Sequence, residues 1–133
     1  MLVVACAAPA AGLEDFETEL IRVDGVELTV AIADTSDKRQ RGLADVEDLP
    51  DLLDGMLFAY DSPTSASFHM LNTPMPLDIW WFDSVNKLVG TTEMEPCFVK
   101  PCVSYGSPGP VMWVLETPID VYQFGIGEVL STG

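Results

Sequence analysis

The segment Leu77–Phe82, LDIWWF, restricts the fold more than any other part of the chain. In an extended strand, successive side chains point to opposite faces. Leu77, Ile79 and Trp81 therefore share one face, and Asp78, Trp80 and Phe82 share the other. Both faces are apolar, so this strand must be covered on two sides or line a pocket. Hydrophobic residues make up 48% of the 133 residues. That excludes a disordered chain and supplies one domain with a core of its own.

The flanking segments indicate what kind of domain this is. Ile21-x-Val23 and Val26-x-Leu28-x-Val30-x-Ile32 alternate with period two around Asp24-Gly25, the pattern of a tight β-hairpin. Asp34-Thr35-Ser36 offers helix caps, Asp37–Arg41 reads as a short helix, and Gly42 stops it. Residues 45–53, DVEDLPDLL, suit another short helix or an acidic loop. Strands are expected at Met56–Tyr60, Ser65–Leu71, Leu77–Phe82, Leu88–Met94 and Val111–Glu116, with DSVN (83–86) as a turn. A helical turn at Ile119–Phe124 and a short strand at Gly127–Leu130 complete the pattern. Six to seven mainly antiparallel strands with one or two short helices predict a β-rich α+β fold, a closed or half-closed barrel. Residues 16–133 would form this single domain, and residues 1–15 a disordered tether.

Charge narrows the partners. The chain has 21 acidic residues against 6 basic ones, a net charge of −15, and no Lys or Arg between Gly42 and Asn86. Such a surface repels phosphate backbones, so nucleic acid is not an expected partner. The basic cluster Lys38-Arg39-Gln40-Arg41 is flanked by Asp34 and Asp37 and reads as a solvated helix face. Leu2–Cys6, LVVAC, resembles the end of a bacterial lipoprotein signal, with Cys6 as the lipidated residue and AAPAAG as the tether; Ala8-Pro9-Ala10 could instead be a cleavage site. Only four residues separate Met1 from Cys6, whereas a signal needs an apolar core of roughly 7–15; the true start is expected upstream. The predicted location is the cell envelope, at its periplasmic or extracellular face. Membrane contact is expected only through a lipid anchor on Cys6, because no apolar run is long enough to span a bilayer.

Cys97 and Cys102, in a Pro-rich loop, suit a local disulfide in an oxidising compartment. Their spacing matches neither a C-x2-C redox pair nor a zinc ribbon. The acidic run Asp45–Asp54 lacks the order of a calcium loop. No metal and no cofactor are expected.

Few residues could carry chemistry. Asp78, on an aromatic strand face, must be hydrogen-bonded or have its pKa raised by desolvation. It reads as a structural carboxylate tying the Asn72–Pro76 turn to the strand, or as a ligand contact or general base. Thr73-Pro74-Met75-Pro76 cannot pair as a central strand and forms a rigid loop, a common binding rim. Asn72, Pro76, Asp78 and Trp80 are therefore the candidate binding surface, with Trp81 as the core residue and Trp80 the more accessible. His69, the lone histidine, reads as an exposed or half-buried strand residue. Glu116 ends a hydrophobic strand, where it would cap or pair with Arg22 or Arg39; an acid–base partnership with Asp78 is the alternative. No residue is assigned as catalytic.

FHMLNTPMPLDIWWF (Phe68–Phe82), RQRGL (Arg39–Leu43), DGMLF (Asp54–Phe58) and EPC-x4-C…SPGPVMWVLE (Glu95–Glu116) together resemble the bacterial and archaeal domain of unknown function 192 family, from about Val26 to Val129. The resemblance implies a family without an established activity, often exported. Its members usually carry an aromatic residue in place of His69 and a lysine in place of Leu71. That departure counts against a catalytic His69 and against a binding role needing the lysine. The expected function is a non-enzymatic extracytoplasmic module binding a small ligand or a partner protein. The alternative is an acid–base hydrolase using Asp78 with Glu116 or His69.

Overall fold

The computed structural model describes residues 13–132. Cys6 and most of the expected tether lie outside the described residues. Leu13 is buried and Asp15 pairs with Arg41, so the described fold takes in residues placed in the tether above.

The elements are β1 (Thr18–Val23), β2 (Val26–Ala33), α1 (Ser36–Arg41), β3 (Gly55–Thr64), β4 (Ser67–Phe68), β5 (Leu77–Phe82), β6 (Leu88–Met94), β7 (Tyr105–Gly106), β8 (Val111–Pro118) and β9 (Leu130–Thr132). Seven strands form one curled sheet in the order β6-β5-β8-β3-β2-β1-β9, and β4 pairs with β7 in a separate ribbon. The fold is a β-rich half-barrel with one short helix. Asp24 and Gly25 both adopt positive φ (54° and 75°) between Val23 and Val26, the two-residue turn that alternation around Asp-Gly predicts. Thr35 caps α1 by accepting from the Lys38 amide. β2 and β3 run parallel, which requires the crossover that α1 and residues 42–54 supply.

Both sheet faces are covered, as the apolar alternation of LDIWWF demands. On one face, every strand of the sheet contributes to a single cluster: Ile21, Leu28, Leu57, Leu115, Trp80, Leu88 and Leu130 are among its members. Only the inside of a curl is reached by all seven strands. The opposite face carries Ala33, Met56, Phe58, Val114, Ile79 and Trp81, and is covered by Leu13, Phe16, Leu43, Val46 and Met70. The curl is drawn together where Leu88 N donates to Glu128 O (2.9 Å) and Leu130 N to Asn86 O (2.9 Å), joining the two ends of the sheet.

Several expected elements differ. Ser65–Leu71 is extended only briefly, as β4, because residues 69–71 leave the ladder to line a cavity. Residues 45–53 take the second of their two expected forms, an acidic loop with turns. Ile119–Phe124 forms no helical turn; Phe124 is instead drawn into the barrel interior against Trp80. The last strand is Leu130–Thr132 rather than 127–130. Cys97 and Cys102 are disulfide-bonded.

Candidate functional site

The four residues of the candidate surface do not converge. Asn72 is exposed at φ 56°; its amide donates to Cys97 O and its carbonyl accepts from Asp45 N, both at 2.8 Å. Pro76 lines a 410 Å3 groove with Leu49, Leu53, Met75, Ile119 and Tyr122. Asp78 Oδ2 accepts from the Asp120 amide at 3.0 Å; it is tied to the turn after β8 and not to the Asn72–Pro76 turn. Burial pushes its carboxyl above the usual value, the single amide only partly offsetting this. The expected contrast between the tryptophans is absent. Trp81 is 2% exposed and Trp80 4%, because the face that Trp80 shares is the barrel interior. There its indole N–H donates to Thr117 Oγ1 (3.0 Å) and its ring meets Phe124 edge-on at 4.8 Å.

The strand register separates Asp78 from Glu116. Across β5 and β8, Ile79 faces Glu116 and Asp78 faces Thr117. Residues directly opposite each other share a face, and neighbours along a strand do not. The carboxylate of Asp78 therefore lies on the interior side and that of Glu116 on the outer side, so the two cannot act in one cleft.

Glu116 occupies a different site. It lines a cavity of about 560 Å3 between α1 and the segment after β4, with Arg39, Gly42, Leu43, Phe58, Tyr60, Phe68, His69 and Leu71 among the other walls. RQRGL, the Phe of DGMLF, FHML and the Glu of VLE, far apart in sequence, all meet there. The geometry follows from local rules. Gly42 ends α1 at φ 51° and turns the chain across the cavity. Gly55 brings β3 against β8: a Cβ there would lie 2.3 Å from the Glu116 carbonyl oxygen. β3 then carries Phe58 and Tyr60 beside Glu116, and Phe68 meets Phe58 edge-on at 4.9 Å.

Glu116 is 4% exposed and makes no hydrogen bond or ion pair with any described residue. Neither of its oxygens is sealed off; the carboxyl reaches the open space of the cavity. With nothing to compensate burial, its pKa rises to about 8, leaving it mostly protonated at neutral pH. Burial also raises the Tyr60 hydroxyl, with Arg39 pulling it down and Glu116 pushing it up; the phenol thus lies within electrostatic reach of both. Arg39 donates from Nη1 to Ala59 O (2.8 Å) and stacks on the Tyr60 ring, Cζ 4.9 Å from the centroid. It has no carboxylate partner among the described residues. Arg41 differs, since Asp15 takes its Nη2 through both oxygens at 2.8 Å. His69 Nδ1 accepts from the Leu71 amide (3.2 Å). The expected partnership of Glu116 with Arg22 is not formed, because Arg22 pairs with Glu27. A lone acid at the end of the apolar run VMWVLE is the sequence signal for this site. Among the described residues, no three His, Cys, Asp or Glu side chains cluster as a metal site.

A family model described as "Uncharacterized ACR", DUF192, matches residues 19–128. No curated protein matches the chain. Among solved structures, a Sinorhizobium meliloti 1021 protein provisionally called a transcription regulator is similar with a TM-score of 0.77 at 23% identity, over 88% of this chain and 95% of that one. A protein of unknown function from Novosphingobium aromaticivorans DSM 12444 is similar with a TM-score of 0.79 at 24% identity, over 94% of this chain and 93% of that one. At these identities the likeness is one of fold.

Proposed function

This chain belongs to the uncharacterised family DUF192, and we propose that it is a non-enzymatic, small-molecule-binding domain whose site is the cavity floored by Glu116. The observation that carries this is the unpartnered, buried Glu116 facing open space. Burial disfavours the charged form of this carboxyl, and a ligand that brings an opposite charge to it favours that form on binding. The volume of about 560 Å3 falls in the roughly 300–1,000 Å3 range of small-molecule sites. Phe58 and Phe68 give it aromatic walls, and Arg39, Tyr60, His69 and Glu116 are among the polar groups that make up much of the rest. A regulator's role at nucleic acid finds no support in a net charge of −15.

Nondenaturing mass spectrometry of the protein from its native host should find an added small-molecule mass. Ala44 lines the cavity, and Ala44→Trp, which fills it, should abolish that mass. The same mass retained by the variant would place the site elsewhere.

The domain is exported and held at the envelope by lipid on Cys6. LVVAC and the Cys97–Cys102 bond, suited to an oxidising compartment, support this. Expressed from its native gene, the protein should fractionate with membranes and Cys6→Ala should release it. Wild-type protein recovered from the cytosol would refute export.

A further inference from the structure

The cavity holds two groups of opposite character, each lacking the partner it would normally have. Glu116 on its floor has no hydrogen bond to any described residue. Arg39 on its wall spends one N–H on Ala59 O and has no carboxylate among the described residues. Tyr60 lies within reach of both, its ring under the guanidinium and its phenol sensing Glu116.

We propose that this cavity takes a small zwitterion of the amino-acid class, with its ammonium group on Glu116 and its carboxylate on Arg39. The proposal rests on the cavity being a ligand site, as argued above. Simple ions fit it less well. Three of the six basic residues of this acidic chain stand on α1, and two of them, Arg39 and Arg41, line the cavity. A bare amine or metal cation meets that positive wall. A bare carboxylate satisfies Arg39 but brings no hydrogen-bond donor to the Glu116 oxygens. A zwitterion answers both, and charge-assisted hydrogen bonds are the stronger kind. An apolar side chain on the ligand would lie against Phe58, Phe68 and Leu71.

Binding carries a proton balance. Free Glu116 is mostly protonated at pH 7, its pKa being about 8. An ammonium group beside it favours the carboxylate, so the acid ionises, its proton passes to solvent, and the ligand keeps its own charges. At pH 7 binding should therefore release protons, up to one per ligand bound.

The test is titration calorimetry of the wild-type protein with each of the twenty L-amino acids at millimolar concentration. The tightest binder is then compared with its deaminated acid and its decarboxylated amine, at pH 7, in two buffers of different ionisation enthalpy. At least one amino acid should bind with that proton release, and both one-charge analogues should bind at least tenfold more weakly. Glu116→Gln should lose tenfold or more in affinity and release no proton; Arg39→Gln should also weaken binding, with melting curves confirming that both variants fold. An analogue that binds as well as its amino acid, binding without proton release, or no binding by any of the twenty would overturn the zwitterion. If the host-purified protein still carries a different small molecule that Ala44→Trp loses, the cavity remains the site and only the ligand class falls. If Ala44→Trp keeps that molecule, the cavity reading falls as well.

Discussion

Glu116 shows how one residue's environment sets its chemistry. It faces Met56 on one neighbouring strand and Ile79 on the other, with no charge to offset burial. Its folded pKa of about 8 exceeds the ordinary 4.5, so the protonated form is the one the fold favours. The associated stability is fully present below pH 4.5, declines as pH rises to about 8, and is gone above it. At about 1.4 kcal/mol per unit the swing is on the order of 5 kcal/mol. Glu116→Gln removes the titration. Its stability relative to wild type should therefore grow between pH 5 and 8 and level off at pH 9, measured by urea unfolding. A difference that stays flat across that range would mean the acid is not desolvated. Asp78 shares the direction with a milder cause: burial raises it while the Asp120 amide holds one oxygen. Nothing in the residue order distinguished these two acids. Each sits in an apolar run, and only the pairing of β5 with β8 sends one to the interior and the other to the cavity.

At the scale of elements, the site depends on how closely β3 and β8 approach. The DGMLF segment fixes β3 against both of its neighbours. Asp54 Oδ2 accepts from Thr29 N (2.9 Å) and Asp54 N donates to Thr29 O (2.8 Å), which sets β3 beside β2. Gly55 then lets β3 lie against the Glu116 backbone. Gly55→Ala would force a methyl group into a carbonyl oxygen 2.3 Å away, and backbone cannot swing aside as a flexible side chain can. Overpacking of this kind costs about 1–3 kcal/mol. Urea unfolding should show a loss toward the upper end, and a variant as stable as wild type would show that the strands can separate there freely. Elements defined by their own alternation were legible: the β1–β2 hairpin, β5 and β6 stand where the sequence puts them. The segment after β4 was not, because its residues obey partners distant in sequence. Leu71 bridges to Cys97, and Met70 O accepts from the Cys97 amide (3.1 Å).

For the whole molecule, the decisive feature is that the sheet curls. A flat sheet with two apolar faces would need a covering layer on each. Here the curl makes one face its own interior, and loop residues such as Leu13, Phe16, Leu43, Val46 and Met70 cover much of the other. That explains the burial of Trp80, whose side of β5 looks outward in a flat strand and inward in a barrel. The chemistry of the sequence by itself determined the β-rich class, the hairpin at Asp24-Gly25, the two-sided burial of LDIWWF and the family, because these follow from alternation, turn residues and motifs within short windows. The tertiary structure alone decided which side of the sheet became the interior, which acid was left without a partner, and that RQRGL, DGMLF, FHML and VLE meet at one cavity. Those depend on strand register and on a cavity shared by residues up to some eighty positions apart, such as Ser36 and Glu116, and no local pattern encodes them.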